Sequence, residues 1–336
     1  MGLQGGQREG HGDRGLQGRR GGHPQLRDGW RHRPARTKDQ LAAVRIAILA
    51  ARQGWHTDQL CRALVGRGHE GRVLPYEALV GRFGNEGASF AAAGEELASC
   101  GAVLARIIPA GSLEQIVFRV DALHALEERG VPVVNSPRTI ERTVDKLWTT
   151  ALLAGAGLPV PDTVVCEGPD DAVAAFRSLG GDVIVKPLFG SMGLGMVRVS
   201  DEDMAFRVFR TLETLRGVYY VQRAIEHAGC DVRVFVVGGR VLGAIERSAP
   251  GWKTNLARGG RARSLTLTAH QTELALAAAQ AVAADYAGVD LLPARDGTVY
   301  VVEVNGIPGW RGLQEATSTD VAGAIVEHLL GRAAGR

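Results

Sequence analysis

Two apolar segments near the end of the chain carry polar side chains that could hold a metal ion. Val299–Asn305 reads VYVVEVN, and its continuous apolar residues predict a strand that is covered on both faces. Glu303 and Asn305 then point from the same face, because side chains alternate along a strand. A carboxylate and an amide on a buried face are unfavourable unless a partner satisfies them. Both positions are therefore candidate metal ligands.

Asp290 is the third candidate ligand. It lies in the apolar stretch 287–292, which a short turn joins to the strand that carries Glu303, and antiparallel pairing would bring the two carboxylates together. Three oxygen ligands without histidine or thiolate suit Mg²⁺, with Mn²⁺ as the alternative ion, and nucleotide phosphates and water would complete the coordination. The competing interpretation is a polar strand end that is paired with a nearby arginine such as Arg311.

A lysine at a strand end precedes a glycine-rich loop. The strand Val183–Lys186 leads into residues 187–195, PLFGSMGLG. Glycines let backbone amides approach phosphate oxygens, and a lysine at the strand end can reach the same oxygens as a point charge. The loop is not a Walker A motif, and it leads into a strand rather than a helix. It predicts a flap over a nucleotide, with an ordinary glycine-rich turn as the equal alternative. The expected contacts in this flap are Gly190, Ser191, Gly193 and Gly195.

Two further segments are weak signals when they are read alone. Lys146 lies on a predicted helix, where an isolated lysine is usually a surface residue. Residues 222–225 lie at the end of a predicted strand, and their backbone groups could contact an adenine edge. These four residues are Gln222, Arg223, Ala224 and Ile225.

A short loop concentrates cations and amides between residues 246 and 260. Arg247 and Arg258 could each bind a carboxylate through two parallel hydrogen bonds. Lys253 and Asn255 could contact a triphosphate or stabilise a negatively charged intermediate. The alternative interpretation is a solvated basic loop.

The elements that must position these residues fall into regions of different pattern. Residues 1–40 contain ten glycines and nine Lys/Arg but few aliphatic residues, which predicts a disordered tail. Strands alternate with helices over 41–138, which indicates a parallel α/β domain. Residues 139–219 and 220–336 mix hairpins with helices, including helices expected at 138–154 and 269–286, so they are assigned to two α+β subdomains. The predicted fold class is therefore α/β plus α+β.

Charge and composition exclude several classes of protein. The tail holds nine basic and four acidic residues, whereas the remainder holds 30 basic and 32 acidic residues. The part expected to fold therefore has no basic footprint for nucleic acid. The four cysteines are widely spaced, which argues against a zinc cluster or disulfide framework. No apolar run is long enough to span a membrane, and no signal core opens the chain. We expect a cytoplasmic protein.

Six short motifs together resemble the ATP-grasp superfamily, and within it the RimK-like α-L-glutamate ligases. The resemblance covers roughly residues 44–332, and the motifs occur in the family's order. They are DKL at 145–147, GCDVR at 229–233, AIER at 244–247, NLARGG at 255–260, AGVD at 287–290 and EVN at 303–305.

The resemblance implies an ATP-grasp fold with an N-terminal pre-ATP-grasp domain and ATP held between two α+β units. It implies an ATP-dependent ligase that uses Mg²⁺ and joins L-glutamate to an acceptor carboxylate through an acyl-phosphate. Lys146 and Lys186 would bind phosphates, Asp231 would hold the ribose, and residues 222–225 would contact adenine. The γ-phosphate would lie near Lys253, Thr254 and Asn255, and the acceptor would lie beside Arg233 and Arg247. The metal would be held by Asp290, Glu303 and Asn305.

The sequence departs from the ribosomal-protein-modifying members of this family. They have a carboxylate immediately after the position of Gln222, where this chain has Arg223. Residues 186–191, KPLFGS, and 111–119, GSLEQIVFR, look more like the cofactor-glutamylating members that act on tetrahydromethanopterin or a deazaflavin coenzyme. The expected acceptor is therefore a pterin-type small molecule with a free carboxylate, in a protein that could form homo-oligomers.

Three alternatives stay open on the sequence alone. A ribosomal protein C-terminus, or a carrier protein of lysine biosynthesis, could replace the cofactor as acceptor. A regulatory protein could retain nucleotide binding without chemistry, although three intact metal ligands argue against that. The basic tail could also bind RNA.

Overall fold

The computed structural model describes residues 43–85, 87–190, 193–249 and 261–335, so the tail predicted at 1–40 lies outside the described residues. The first region is built on the apolar run predicted at 44–49, in which residues 46–49 are completely buried. A hairpin at 79–92, which the sequence did not reveal, interrupts the alternation of strands and helices. The elements are β1 (Arg45–Ala50), α1 (Trp55–Val65), β2 (Glu70–Pro75), β3 (Leu79–Gly84), β4 (Gly87–Ala92), β5 (Glu95–Glu96), β6 (Ala102–Ala105), α2 (Leu113–Glu128) and β7 (Val133–Val134).

The four main strands of this region form a parallel sheet in the order β2-β1-β6-β7. This confirms the predicted α/β architecture. The carboxyl ends of β1 and β6 lie side by side at the point where the strand order reverses. In open α/β sheets this crevice is the usual place for a ligand.

The second region contains a small antiparallel sheet in the order β10-β9-β11-β8, with a helix pair packed on it. The single helix expected at 138–154 is in fact two. Asp145 has an extended backbone (φ −91°, ψ 110°), and its carboxylate accepts hydrogen bonds from the amides of Leu147 and Trp148 to start a new helix. The elements are α3 (Pro137–Val144), α4 (Lys146–Gly155), β8 (Thr163–Cys166), α5 (Pro169–Ser178), β9 (Val183–Lys186), β10 (Val197–Val199), α6 (Glu202–Thr214) and β11 (Tyr219–Arg223).

The third region is a five-stranded antiparallel sheet in the order β14-β13-β12-β15-β16. The helix expected at 269–286 is shorter than predicted, because Ala283 has a positive φ of 58° and ends the helical course before Tyr286 begins a strand. The elements are β12 (Cys230–Val237), β13 (Arg240–Ser248), β14 (Arg261–Ser264), α7 (Ala269–Ala281), β15 (Tyr286–Pro293), β16 (Val299–Asn305), α8 (Arg311–Thr317) and α9 (Val321–Ala334).

Asn135 connects the first region to the third. Its fully buried amide donates to the carbonyls of Tyr286 and Gly306, and its carbonyl accepts from the amides of Asp285 and Tyr286. Residues 42–336 accordingly form one compact unit. The boundaries expected at 138 and 219 stay a prediction. None of the helices in the described ranges combines the length and the apolar character that a membrane crossing requires.

Candidate active site

The predicted pairing of the two metal-site strands is confirmed. β15 and β16 run antiparallel, with Asp290 directly opposite Glu303 and Gly288 opposite Asn305. The register shifts after Asp290, so Val302 is an extra residue on β16. A bulge of this kind bends a strand and re-aims its side chains. The two carboxylates and the amide therefore lie at one end of the same strand pair.

Asp290 is bound by two arginines. Arg233 donates from Nε to Oδ1 and from Nη2 to Oδ2, both at 2.6 Å, and Arg247 contributes Nη2 at 3.0 Å from Oδ2. Burial alone would raise the pKa of Asp290, but the two guanidinium groups outweigh it and hold the pKa below its ordinary value. The carboxyl is therefore ionised at neutral pH, as a metal ligand must be.

Arg247 is the centre of this charge array. It is only 3% exposed, and its Nε and Nη2 donate to the two oxygens of Asp231 at 2.7 Å. Burial opposes its charge, but Asp290 and Asp231 outweigh that effect and raise the pKa of Arg247. Two arginines and two aspartates thus neutralise one another inside the protein.

Glu303 and Asn305, unlike Asp290, have no arginine partner among the described residues. No hydrogen bond or ion pair joins Glu303 to another described residue, and the buried Nδ2 of Asn305 finds no partner within the described ranges. No three His, Cys, Asp or Glu side chains in those ranges could hold a metal by themselves. Two carboxylates, one amide oxygen and substrate oxygens form a donor set that fits Mg²⁺.

The arginine alternative for this site is correct only in part. Arg311 pairs with Glu315 at 2.8 Å and does not reach Asp290, Glu303 or Asn305 through a hydrogen bond or an ion pair. Among the described residues, Arg233 and Arg247 form ion pairs with Asp290 and with neither Glu303 nor Asn305. Glu303 has no hydrogen bond or ion pair with another described residue, and the Nδ2 of Asn305 has no partner in the described ranges.

Lys186 is buried at the end of β9 and is fixed by its neighbours. Its Nζ donates to Oε1 of Gln222 at 2.6 Å and lies 5.8 Å from the centre of the Tyr220 ring. The pKa of Lys186 is lowered to about 8, mainly by burial; the nearby Lys146 contributes to the lowering, whereas Glu303 and Asp290 oppose it. The lysine is therefore charged at neutral pH, with few protein anions close enough to neutralise it.

The amide of Gln222 holds Lys186 in place. Its Nε2 donates to Oγ1 of Thr163 at 2.8 Å and to the hydroxyl of Tyr220 at 3.3 Å. That hydroxyl in turn shares a hydrogen bond of 2.7 Å with Thr150. The network joins α4, β8, β9 and β11 at the floor of the cleft.

Lys146 ties the start of α4 to the glycine loop. Its Nζ donates to the carbonyl of Gly190 at 2.8 Å, and its own amide donates to the carbonyl of Leu188 at 3.3 Å. Burial lowers its pKa, whereas Glu303 and Asp145 raise it. Gly190, Gly193 and Gly195 have positive φ values of 144°, 67° and 74°, so the loop depends on glycine, as predicted.

These groups line one cleft that opens to solvent between the small sheet and the five-stranded sheet. Most of the predicted site residues reach it. Gly195, Arg233 and Asn305 do not line the cleft, but Gly195 lies between two lining residues and Arg233 contacts Asp290, which lines it. The predicted residues in the lining are Lys146, Lys186, Gly190, Gly193, Gln222, Arg223, Ala224, Ile225, Asp231, Arg247, Asp290 and Glu303.

The segment expected to contact adenine forms one edge of the cleft. Arg223 lies 3.1 Å from Asp162 and donates to the hydroxyl of Tyr300 at 3.3 Å, so its side chain is turned to the protein. The backbone amide of Ala224 donates to the carbonyl of Asp182. Adenine contact by this segment stays a prediction.

Other predicted residues lie outside the described residues. Nothing tests the roles expected for them in binding the γ-phosphate, the flap or the acceptor. They are Ser191, Lys253, Thr254, Asn255 and Arg258.

Sequence reasoning missed several residues of the cleft. Tyr220 could have been found, because it precedes Gln222 by two positions on a strand and so shares its face. Thr150 could also have been found, one helical turn after Lys146. Thr149, Arg198 and His227 also line the cleft, and no local motif distinguishes them from surface residues.

Comparison with known proteins agrees with this geometry. Residues 143–329 match the RimK-like ATP-grasp domain, and residues 44–140 match the RimK PreATP-grasp domain. The chain therefore belongs to the RimK-like ATP-grasp family of ligases, which use ATP and Mg²⁺.

Individual relatives are similar over almost their whole length. The tetrahydromethanopterin:alpha-L-glutamate ligase of Methanosarcina acetivorans is 36% identical over 81% of this chain and 95% of its own. Probable alpha-L-glutamate ligase 2 of Shewanella sp. strain MR-4 is 37% identical over 85% of this chain and 96% of its own. The crystal structure of a RimK domain protein ATP-grasp from Sphaerobacter thermophilus has 26% identity and a TM-score of 0.69, covering 85% of this chain and all of that one.

Proposed function

We propose that this protein is an ATP-dependent carboxylate–amine ligase that adds L-glutamate to the carboxylate of a pterin-type cofactor. One observation carries the proposal. Asp290 and Glu303 face each other across paired strands, in a cleft that also contains two lysines and a glycine loop. The lysines supply positive charge for an anionic ligand, and the carboxylates supply oxygen ligands for a divalent metal. That combination suits a nucleoside triphosphate.

The first step transfers the γ-phosphoryl group of ATP. An oxygen of the acceptor carboxylate attacks the γ-phosphorus, the bond to the bridging oxygen breaks, and ADP leaves. The products are an acyl-phosphate and ADP. Lys186 and Lys146 contribute positive charge beside the transferring group, and neither needs to give up a proton.

The second step forms the amide. The neutral amine of L-glutamate attacks the acyl carbon, the bond from that carbon to the phosphate oxygen breaks, and the departing inorganic phosphate takes up the proton that the amine loses. No side-chain nucleophile is required, which agrees with a cleft built from lysines, arginines and carboxylates. Closure of the glycine loop would exclude water, which otherwise hydrolyses the acyl-phosphate.

Asp290, Glu303 and Asn305 would hold the magnesium ion. When bound, Mg²⁺ supplies charge neutralisation at the phosphate oxygens. The carboxylate of Glu303 supports this assignment, because it lines the cleft and has no hydrogen bond or ion pair with another described residue. Arg247, buried with Asp231 and Asp290, keeps the site rigid.

The acceptor class follows from the relatives and the sequence. The Methanosarcina relative acts on tetrahydromethanopterin, and the segments at 111–119 and 186–191 resemble cofactor-glutamylating members. Such a reaction would belong to cofactor biosynthesis. L-glutamate and ATP are then the other two substrates.

Mass spectrometry of the products tests the proposal. Purified protein is incubated with ATP, Mg²⁺, L-glutamate and separate pterin, deazaflavin and peptide acceptors. We expect a pterin acceptor to gain one glutamyl unit and release ADP. If the peptide that represents a ribosomal protein C-terminus gains the glutamyl unit instead, the acceptor is a protein and not a cofactor. If no acceptor gives a product, the ligase assignment is contradicted.

A further inference from the structure

The two arginines that contact Asp290 are held in different ways. Arg247 keeps both oxygens of Asp231 and makes only one contact with Asp290. Arg233 makes two hydrogen bonds, both to Asp290, which is its only ion-pair partner within the described ranges. Its side chain is 20% exposed. Loss of Asp290 would therefore leave Arg247 paired and Arg233 unpaired.

The contacts of Arg233 fall on the atoms that a metal would need. Both oxygens of Asp290 accept from its guanidinium at 2.6 Å. A divalent cation on the same carboxylate would lie beside Arg233, Arg247 and Lys186, and like charges at such distances repel strongly inside a protein. Of the two arginines, Arg233 has the more exposed side chain and no second anion within the described ranges, so we expect it to be the one that moves.

We propose that Arg233 and the metal compete for the carboxylate of Asp290, and that metal binding releases the guanidinium from that carboxylate. The inference rests on the proposed function, because it assumes the same metal site.

The surroundings leave room for this exchange. Gly288 is next to Arg233, and a Cβ added there would lie 3.7 Å from Cδ and Nε of the arginine and 3.0 Å from Pro308. The absence of a side chain keeps the space beside the guanidinium open. A planar guanidinium can form the same two parallel bonds with another carboxylate as it now forms with Asp290.

A metal titration tests the competition without any ligase activity. Free Mn²⁺ is followed by electron paramagnetic resonance with the full chain and a non-hydrolysable ATP analogue, in the wild type and in Arg233→Gln. We expect the variant to bind Mn²⁺ roughly fivefold to a hundredfold more tightly, the range that is typical of coupled sites. Equal or weaker binding, or no binding in either protein, would overturn the proposal.

The sign of the effect separates competition from structural damage, because a damaged site would bind metal less tightly. Arg263→Gln is the matched control. It removes a similar two-contact pair, to Glu246, from an exposed strand that does not line the cleft, and we expect unchanged Mn²⁺ affinity. Binding of the analogue is measured in the same samples. If the wild type does not bind it, the proposed function fails, whereas equal metal affinities with normal analogue binding refute only the competition.

Chemical modification tests the release itself. Phenylglyoxal reacts with free guanidinium groups, and peptide mass spectrometry locates the product. We expect Arg233 to react faster once Mn²⁺ and the analogue are bound, while Arg263 reacts at an unchanged rate. A rate at Arg233 that stays constant or falls would show that the guanidinium remains on Asp290.

Discussion

The charged side chains of the cleft are held by one another, and this decides which of them are available to a ligand. Asp231, Arg247, Asp290 and Arg233 form a neutral array, so their burial is compensated. Lys186 has only the neutral amide of Gln222 as a hydrogen-bond partner, and Glu303 has no such partner within the described ranges. A phosphate would stabilise the first, and a metal ion would stabilise the second.

The depressed pKa of Lys186 predicts a pH dependence of ATP binding. The lysine is protonated below its pKa of about 8 and loses its charge as the pH rises further. We expect the ATP dissociation constant, measured by titration calorimetry, to rise by up to about tenfold for one pH unit above that value. In Lys186→Met binding is weaker throughout and the rise disappears. An identical pH profile in the variant would show that another group is responsible.

At the scale of elements, apolar patterns predicted most strands, whereas tertiary context decided several helix ends. The strands Val183–Lys186 and Val299–Asn305 have the predicted bounds, because each is a compact apolar run. The break at Asp145 was missed, because a capping aspartate inside a helical pattern looks like any polar position. The hairpin at 79–92 was also missed, because the two residues between its strands, Asn85 and Glu86, are not an Asn-Gly or Asp-Gly turn motif.

The cap at Asp145 predicts an effect on both stability and binding. Asp145→Ala removes the acceptor for two amides of α4 and should lower the free energy of unfolding by about 0.5–2 kcal/mol, measured by urea denaturation. It should also weaken ATP binding, because Lys146 is the first residue of that helix. Asp201→Ala removes the cap of α6, which does not line the cleft, and should cost similar stability with unchanged ATP affinity. Equal ATP affinities in the two variants would contradict the role of the α4 start.

At the scale of the whole molecule, the site depends on contacts that no motif encodes. The pairing of Asp290 with Glu303 could be predicted, because a short turn joins their strands. The array with Arg233 and Arg247 could not be predicted in its geometry, since it requires the order β13-β12-β15. Asn135 and His56 connect distant parts of the chain, and single residues of this kind have no periodic signal.

His56 predicts an acid sensitivity of the assembled unit. Its Nε2 accepts from the amide of Trp310, and burial together with Arg106 and Arg311 lowers its pKa to about 4. The unfolded chain has the ordinary value of about 6.5, so the contribution of His56 to stability is complete above that pH and is lost as the pH falls towards 4. We expect His56→Gln to lose less unfolding free energy over this range than the wild type. Parallel losses in urea denaturation would contradict this.

The most direct measurement of the central claim is ADP release by the wild type and by Glu303→Gln, with Mg²⁺, L-glutamate and the acceptor identified by mass spectrometry. The account predicts that wild-type ADP release requires all three, and that the isosteric variant loses activity by about a hundredfold or more because one metal ligand is gone. Near-wild-type turnover in Glu303→Gln, or ADP release without Mg²⁺, would contradict it.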